Sequence, residues 1–176
     1  MAESVAFISV GSNIKPRQNI IAALTLLKER VRVRASSTFY RTEPVGGGDQ
    51  PHFINGVWRV ATVLSPAQVK REVLKPIEGK LGRVRADDRF APRPIDLDLT
   101  LYDDLVVSAD ELMLPHPDII RPFVQVPILE LLDDTSHEIE AKLLTAIRAL
   151  LPAHGVGTIS GEPLADLTDE LRRMLT

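Results

Sequence analysis

From Ile95 to Leu101 the chain alternates apolar and polar residues, with Ile95, Leu97, Leu99 and Leu101 set against Asp96, Asp98 and Thr100. An extended strand sorts such a series onto two faces, so Asp96 and Asp98 are expected side by side on one of them. Two carboxylates at that spacing repel unless a cation lies between them. Their hard oxygen donors suit magnesium, which takes one or two protein carboxylates and completes its shell with water and substrate phosphates. Directly ahead stand Arg83, Arg85, Arg89 and Arg93, planar and permanently charged donors matched to phosphate oxygens, while Pro92 and Pro94 keep the segment from becoming a continuous helix. A lone D-x-D is often a solvated strand face, and arginine-rich loops are common on surfaces. It is the convergence of both in one loop and strand that reads as a metal-nucleotide site.

The rest of the chain supplies short elements around that strand. Val5 to Val10 reads as a buried strand ending in a Gly11-Ser12-Asn13 turn, and Pro16 suits the first turn of a helix over about 17 to 30, whose stripe is Ile20, Ala23, Leu24, Leu27 and Val31. Val31 to Tyr40 reads as a strand running into a loop with three consecutive glycines, Gly46 to Gly48. Phe53 to Val63 alternates, which puts Phe53, Asn55, Val57, Arg59 and Ala61 on one face and Ile54, Trp58, Val60 and Thr62 on the other. Ser65 caps a helix with Pro66 at its first position, running toward Leu81 and stopped by Gly82, with Pro76 expected to kink it. Tyr102-Asp103-Asp104 reads as a turn, with Leu105 to Val107 as a return strand. Ala141 to Leu151 and Leu164 to Leu175 read as amphipathic helices separated by a loop from Pro152 to Pro163.

Composition removes several classes of function. There is no cysteine, which excludes disulfides, thiolate nucleophiles and cysteine-bound zinc or iron-sulfur clusters. A formal charge of −3 argues against general binding to nucleic acid or anionic membranes and makes the arginine cluster a local anion site. With no signal-like start and no apolar run of spanning length, the expectation is a cytoplasmic protein of one domain over 1–176, a monomer with neither nucleic acid nor membrane as partner.

Arg89-Phe90-Ala91-Pro92-Arg93-Pro94-Ile95-Asp96-Leu97-Asp98-Leu99 resembles the signature R-W-G-P-R-x-(I/L)-D-L-D-(I/L) of the hydroxymethyldihydropterin pyrophosphokinase family. Tyr40 to Gly46 with Asp49 to Asn55, and then Leu114-Pro115-His116-Pro117 with Arg121, Phe123 and Val124, resemble its two other signatures. Together they cover residues 5–132 and leave 133–176 as a helical extension without motif support.

The resemblance implies an α+β, ferredoxin-like sandwich and transfer of pyrophosphate from ATP to a pterin alcohol, with AMP leaving. It implies that Asp96 and Asp98 hold two magnesium ions and that Arg83 and Arg93 stabilise charge on the transferring group. Arg85, Arg89, Glu78, Phe90, Leu99, His116 and Arg121 would serve ATP, and Thr42, Val45, Phe53, Asn55 and Phe123 the pterin. Phe53 and Phe123 would sandwich the ring, with the Asn55 amide pairing along its edge. Phe53 and Phe90 replace the commoner tyrosine and tryptophan. Ala91 replaces glycine, which would strain the loop if that site needs a positive φ. Two other readings fit the same residues: a catalytically weak pterin- or nucleotide-binding paralogue, and a metal-dependent nucleotidyltransferase using the paired aspartates.

Overall fold

The computed structural model describes residues 2–84, 88, 90–134, 139, 141–153 and 157–176. Its frame is an open antiparallel sheet with helices, an α+β arrangement. Strands β1 (Ser4–Ser12), β4 (Phe53–Thr62) and β5 (Asp96–Tyr102) match the expected segments closely, whereas the single strand expected over Val31 to Tyr40 is divided into β2 (Arg32–Ser36) and β3 (Tyr40–Thr42), the latter running into the expected loop. The order across the sheet is β5-β1-β4-β3, and β2 pairs with the far half of β4, so β2 and β3 act as one interrupted neighbour. A short strand within the expected Pro152 to Pro163 loop, Gly161–Pro163, extends the edge beyond β3.

Two apolar layers hold the sheet. On one side Ile8, Val10, Trp58 and Val60 pack with helix α1 (Pro16–Lys28) through Ile20, Leu24 and Leu27. On the other, Phe7 and Val57 pack with Val124, Ile128 and Leu131 of a helix over Pro122–Asp134, and with Ile147 of one over Ala141–Leu150. This split matches the two faces expected of β4. Gly56 is needed in β4 because a Cβ there would lie 2.5 Å from the Phe39 ring, which itself stands 6.0 Å from Trp58 centre to centre. Among the described residues, no helix is long and apolar enough to cross a membrane.

Four local expectations are revised. On β5, Phe7 faces Leu101 while Ile8 faces Leu99, so Thr100 is an extra residue, a bulge. Its hydroxyl donates to the Phe7 carbonyl (2.8 Å), and beyond it the alternation flips: Leu97, Leu99 and Tyr102 enter one core and Leu101 the other. The helix after Ser65 departs from a regular rod, as Pro76 leads one to expect, but by widening in its middle. It begins as α2 (Pro66–Gln68), widens to a π-helical segment (Val69–Leu74) and resumes as α3 (Lys75–Lys80). Pro76 can give no hydrogen bond to the carbonyl four residues back, on Glu72. The Lys75 N–H reaches Lys70 one residue further than in an α-helix, and the Glu72 carbonyl accepts from Arg30 instead (3.2 Å). Leu105 is not in a strand, and Val107 begins β6 (Val107–Ala109), which pairs with β7 (Leu112–Leu114) rather than returning along β5. Ala91 is not among the residues with positive φ, so the strain foreseen there does not arise.

Candidate active site

Register builds the floor of the site. Gly11 on β1 faces Asp96 of β5 on one side and Asn55 of β4 on the other. Paired residues project to the same face, so Asp96, Gly11 and Asn55 form one row, and the missing side chain in the middle leaves a basin between carboxylate and amide. A Cβ on Gly11 would lie only 2.8 Å from Asn55 Oδ1. Gly11 is thus a strand residue, not the turn expected from the sequence.

Above this floor is a cavity of about 320 Å3, within the ordinary size of small-molecule sites. It is lined by the expected Thr42, Val45, Phe53, Asn55, Phe90, Arg121 and Phe123 together with Arg83, Arg93, Asp96 and Asp98. Asn55 is 8 % exposed and its Nδ2 donates to Thr42 Oγ1 (2.7 Å), which fixes the outward orientation of the amide. Phe53 and Phe123 supply two aromatic faces, and the Arg93 guanidinium carbon lies 5.8 Å from the Phe53 ring centre.

A second cavity, about 270 Å3, adjoins the first and shares Arg83, Arg93 and Asp98 with it. Lys70, Lys75 and Glu78 line it. The two lysines are five residues apart, about one turn of the π-helical segment, so their presence on one wall follows from that widening. A cationic chamber therefore abuts an aromatic one, with the acidic strand at their junction.

Charge at that junction is closely paired. Arg83 bonds both Glu78 and Asp96, and Arg93 reaches the other Asp96 oxygen at 2.6 Å. Glu78 also accepts the Leu97 N–H (2.8 Å), yet burial pushes its carboxyl up to about 7 against the opposing pull of that bond and of Arg83. Asp98 is likewise held above the usual carboxylate range, by burial first and then by Asp96, while His116 and Arg83 pull it down. His116 Nε2 lies 3.9 Å from Asp98 Oδ1, and its Nδ1 accepts the Asp118 N–H (3.2 Å). Asp98, His116 and Asp118 bring potential ligand atoms within 4.8 Å of one another. Asp96 stands outside that group, both its oxygens being engaged by arginines.

Other expectations are placed as follows. Arg121 donates to Asp118 (2.7 Å) beside the larger cavity. Phe90 lines the aromatic chamber rather than the cationic one, packed against Gly46, and Leu99 is buried in the core, lining neither. Arg85 and Arg89 lie outside the described residues.

Glu43, Lys70, Lys75 and Asp118 carry no signal in the sequence, and Gly11 and Asn13 read there only as part of a turn. Asn13 joins three segments: its Oδ1 accepts the Arg93 N–H (2.8 Å) and its Nδ2 donates to Gln50 and to the Pro51 carbonyl. Gln50 in turn donates to the Phe90 carbonyl (3.1 Å), so the glycine-rich and arginine loops are tied together at the end of β1. The hint of this in the sequence is the Gly11-Ser12-Asn13 triplet closing the first strand, which reads as a turn.

Comparison with known proteins points the same way. Residues 7–133 match the family described as 7,8-dihydro-6-hydroxymethylpterin-pyrophosphokinase. The chain is 34% identical over 159 residues to the 2-amino-4-hydroxy-6-hydroxymethyldihydropteridine pyrophosphokinase of Pseudomonas aeruginosa, covering 88% of this chain and 96% of that one. It is 37% identical over 133 residues to the Haemophilus influenzae protein of the same name, covering 73% and 82%. It is also 41% identical over 128 residues to a folate synthesis bifunctional protein of Arabidopsis thaliana. That match covers 71% of this chain but only 26% of the relative, so the chain spans about a quarter of that longer protein. Given the extent of the family match and the near full-length bacterial relatives, the chain belongs to the 7,8-dihydro-6-hydroxymethylpterin-pyrophosphokinase family.

Proposed function

We propose that the protein transfers pyrophosphate from ATP to the hydroxymethyl group of 6-hydroxymethyl-7,8-dihydropterin, as a cytoplasmic, magnesium-dependent enzyme of folate synthesis. The observation that carries this reading is the pair of adjoining cavities sharing Arg83, Arg93 and Asp98. Family membership and the names of the bacterial relatives support it. The strand order β5-β1-β4-β3, with helices on both faces, is read as a ferredoxin-like sandwich.

The pterin lies in the aromatic chamber, between Phe53 and Phe123, with its amide edge on Asn55. ATP lies in the cationic chamber, its phosphates toward Arg83 and Arg93. The pterin alcohol oxygen attacks the β-phosphorus, the bond from that phosphorus to the α–β bridging oxygen breaks, the alcohol proton is released and AMP leaves. No side-chain nucleophile is required. Phosphates are strong acceptors for guanidinium forks, so Arg83 and Arg93 exchange Asp96 for the nucleotide and free its oxygens. The donor set suits magnesium, because Asp96 and Asp98 offer hard oxygens on one strand and the desolvation of Asp98 is relieved by a cation. When bound there, magnesium would offset phosphate charge and acidify the alcohol. Arg83 and Arg93 stabilise the charge that develops on the transferring group, and the two rings with Asn55 keep the alcohol in line.

The test is to incubate the protein with magnesium, ATP and the pterin and identify products by mass. AMP with pterin diphosphate is expected; pyrophosphate release would favour a nucleotidyltransferase, and binding without turnover an inactive paralogue. Asp96→Ala and Asp98→Ala should each lower kcat by roughly a thousandfold or more, while Phe53→Ala should act on pterin affinity, about tenfold. Near-parental rates in Asp96→Ala would refute the assignment of the carboxylates.

A further inference from the structure

The C-terminal segment beyond the family match contributes more than a cap to the fold. Its last helix (Ala165–Arg173) buries Leu167 and Leu171 in the same core as α1, and Thr168 Oγ1 accepts the Phe39 N–H (3.0 Å). Arg172 reaches Glu130 at 2.7 Å. With that end anchored, the preceding strand β8 (Gly161–Pro163) pairs with β3 so that Gly161 faces Thr42 and Glu162 faces Arg41. A Cβ on Gly161 would sit 2.3 Å from the Arg41 carbonyl oxygen and 3.2 Å from Thr42 Cγ2, so this approach of two backbones admits only glycine. At the other end of the segment, a Cβ on Gly157 would sit 2.9 Å from Pro122 Cγ, next to Phe123.

Between these two contacts, Thr158, Ile159 and Ser160 close a cavity of about 190 Å3 whose far wall is Thr42, Glu43, Pro122 and Phe123. Thr42, Glu43 and Phe123 also line the aromatic chamber. The wall between the two spaces is therefore a single layer of side chains, and it has the 158–160 segment, not solid core, behind it. Thr42 is the group that orients the Asn55 amide, and Phe123 supplies one of the two rings.

We propose that the 157–163 segment is a clamp on the pterin chamber. It holds β3 and the start of the Pro122–Asp134 helix at a fixed separation, so that Thr42, Asn55 and Phe123 are set for a flat, amide-edged heterocycle before it arrives. Ile159, half-buried at the centre of the clamp, is a positioning residue for pterin specificity. The inference rests on the reading that the larger cavity takes the pterin. Pre-organisation of this kind acts on the affinity of the ligand whose wall is clamped and leaves the neighbouring nucleotide chamber alone, since the segment lines none of it.

The experiment compares the full chain with Ile159→Ala, Ile159→Val and Gly161→Val. Hydroxymethylpterin affinity is measured by fluorescence titration with magnesium and a non-hydrolysable ATP analogue present, and affinity for the analogue alone by calorimetry. Ile159→Ala and Gly161→Val should weaken pterin binding by about tenfold, with analogue affinity and kcat at saturating pterin within about twofold of the parent. Ile159→Val should restore most of the loss. Should Gly161→Val fail to fold, the two Ile159 variants, which leave the strand pairing intact, decide the matter. Unchanged pterin affinity in Ile159→Ala, or a parallel fall in both affinities, would overturn the clamp. Absence of pterin binding by the parent protein would instead overturn the functional reading on which the clamp rests.

Discussion

Replacing Gly11 by alanine tests the floor of the site with one methyl group. The added Cβ would fall 2.8 Å from Asn55 Oδ1 and 3.9 Å from the Phe53 ring. The first distance is short of an ordinary heavy-atom contact by more than about 0.5 Å. Asn55 cannot yield freely, because it is buried and its Nδ2 is bonded to Thr42, so relief requires the amide to swing and give up that bond. With the pterin seated as proposed, a swung amide also loses its alignment with the edge of the ring. Two misaligned hydrogen bonds at roughly 0.5–1.5 kcal/mol each weaken pterin binding by about 1–3 kcal/mol, or about 5- to 150-fold in Kd. The nucleotide side is spared, since no Asp96 atom is among the nearest contacts of the new methyl. Calorimetric titration of the pterin in the presence of an ATP analogue, and of the analogue alone, separates the two affinities. A folded Gly11→Ala protein whose pterin Kd stays within about twofold of the parent would refute the row of Asp96, Gly11 and Asn55 as the binding floor.

Gly79 in α3 is the opposite case: a Cβ there meets nothing within 4 Å, so Gly79→Ala should stabilise the fold by about 0.4–1 kcal/mol in urea denaturation with activity unchanged. Ser65 and Gln68 form a reciprocal cap at the start of α2, and Ser65→Ala should cost about 0.5–2 kcal/mol of stability without altering either substrate affinity; an unchanged urea midpoint would count against the cap. Glu78 stays protonated in the folded chain up to about pH 7, against an ordinary value near 4.5, so the folded state holds the extra proton between those limits. Its contribution to stability is complete below about pH 4.5 and is lost as pH rises through 7, whereas Glu78→Gln stays neutral throughout. From pH 5 to pH 8 the parent should lose on the order of 2 kcal/mol relative to Glu78→Gln, and parallel stability curves for the two proteins would contradict the raised carboxyl.

Period and punctuation made much of the frame legible. Asp96 and Asp98 were placed together on a strand by alternation alone, and the two faces of β4 from Phe53 to Thr62 were read correctly because one face packs the Trp58 core and the other the Val57 core. Alternation failed at Leu101, since a bulge at Thr100 shifts the phase and its cause, a hydroxyl bonded to the Phe7 carbonyl, lies 93 residues away in the chain. Pro76 announced a disturbance but not its form, which depends on Arg30 being at hand for the Glu72 carbonyl. Val106 falls in the return strand expected over Leu105 to Val107 but is 72 % exposed, because strand pairing begins only at Val107, opposite Leu114. Strand β8 carried no pattern at all: Gly161, Glu162 and Pro163 are all exposed, and they are held by backbone pairing that only the arrival of β3 provides.

The site depends on register as much as on residue type. Asn55 and Asp96 stand on strands separated only by β1, so their backbones are two strand spacings apart, about 10 Å. That interval suits a bicyclic ring gripped at its amide edge with a short alcohol arm reaching toward the carboxylates, and it is fixed by hydrogen bonding before any ligand is present. A one-residue slip of β4 against β1 would turn Asn55 and Phe53 to the Trp58 side and leave Ile54 and Gly56 facing the arginines. The Gly56 contact with Phe39 and the pairing of Tyr40 with Asn55 oppose such a slip from the core and from the edge. Core packing and the proposed pterin contacts thus rest on the same register, which is why a glycine near the end of β1 and another in β4 bear on chemistry that neither residue performs.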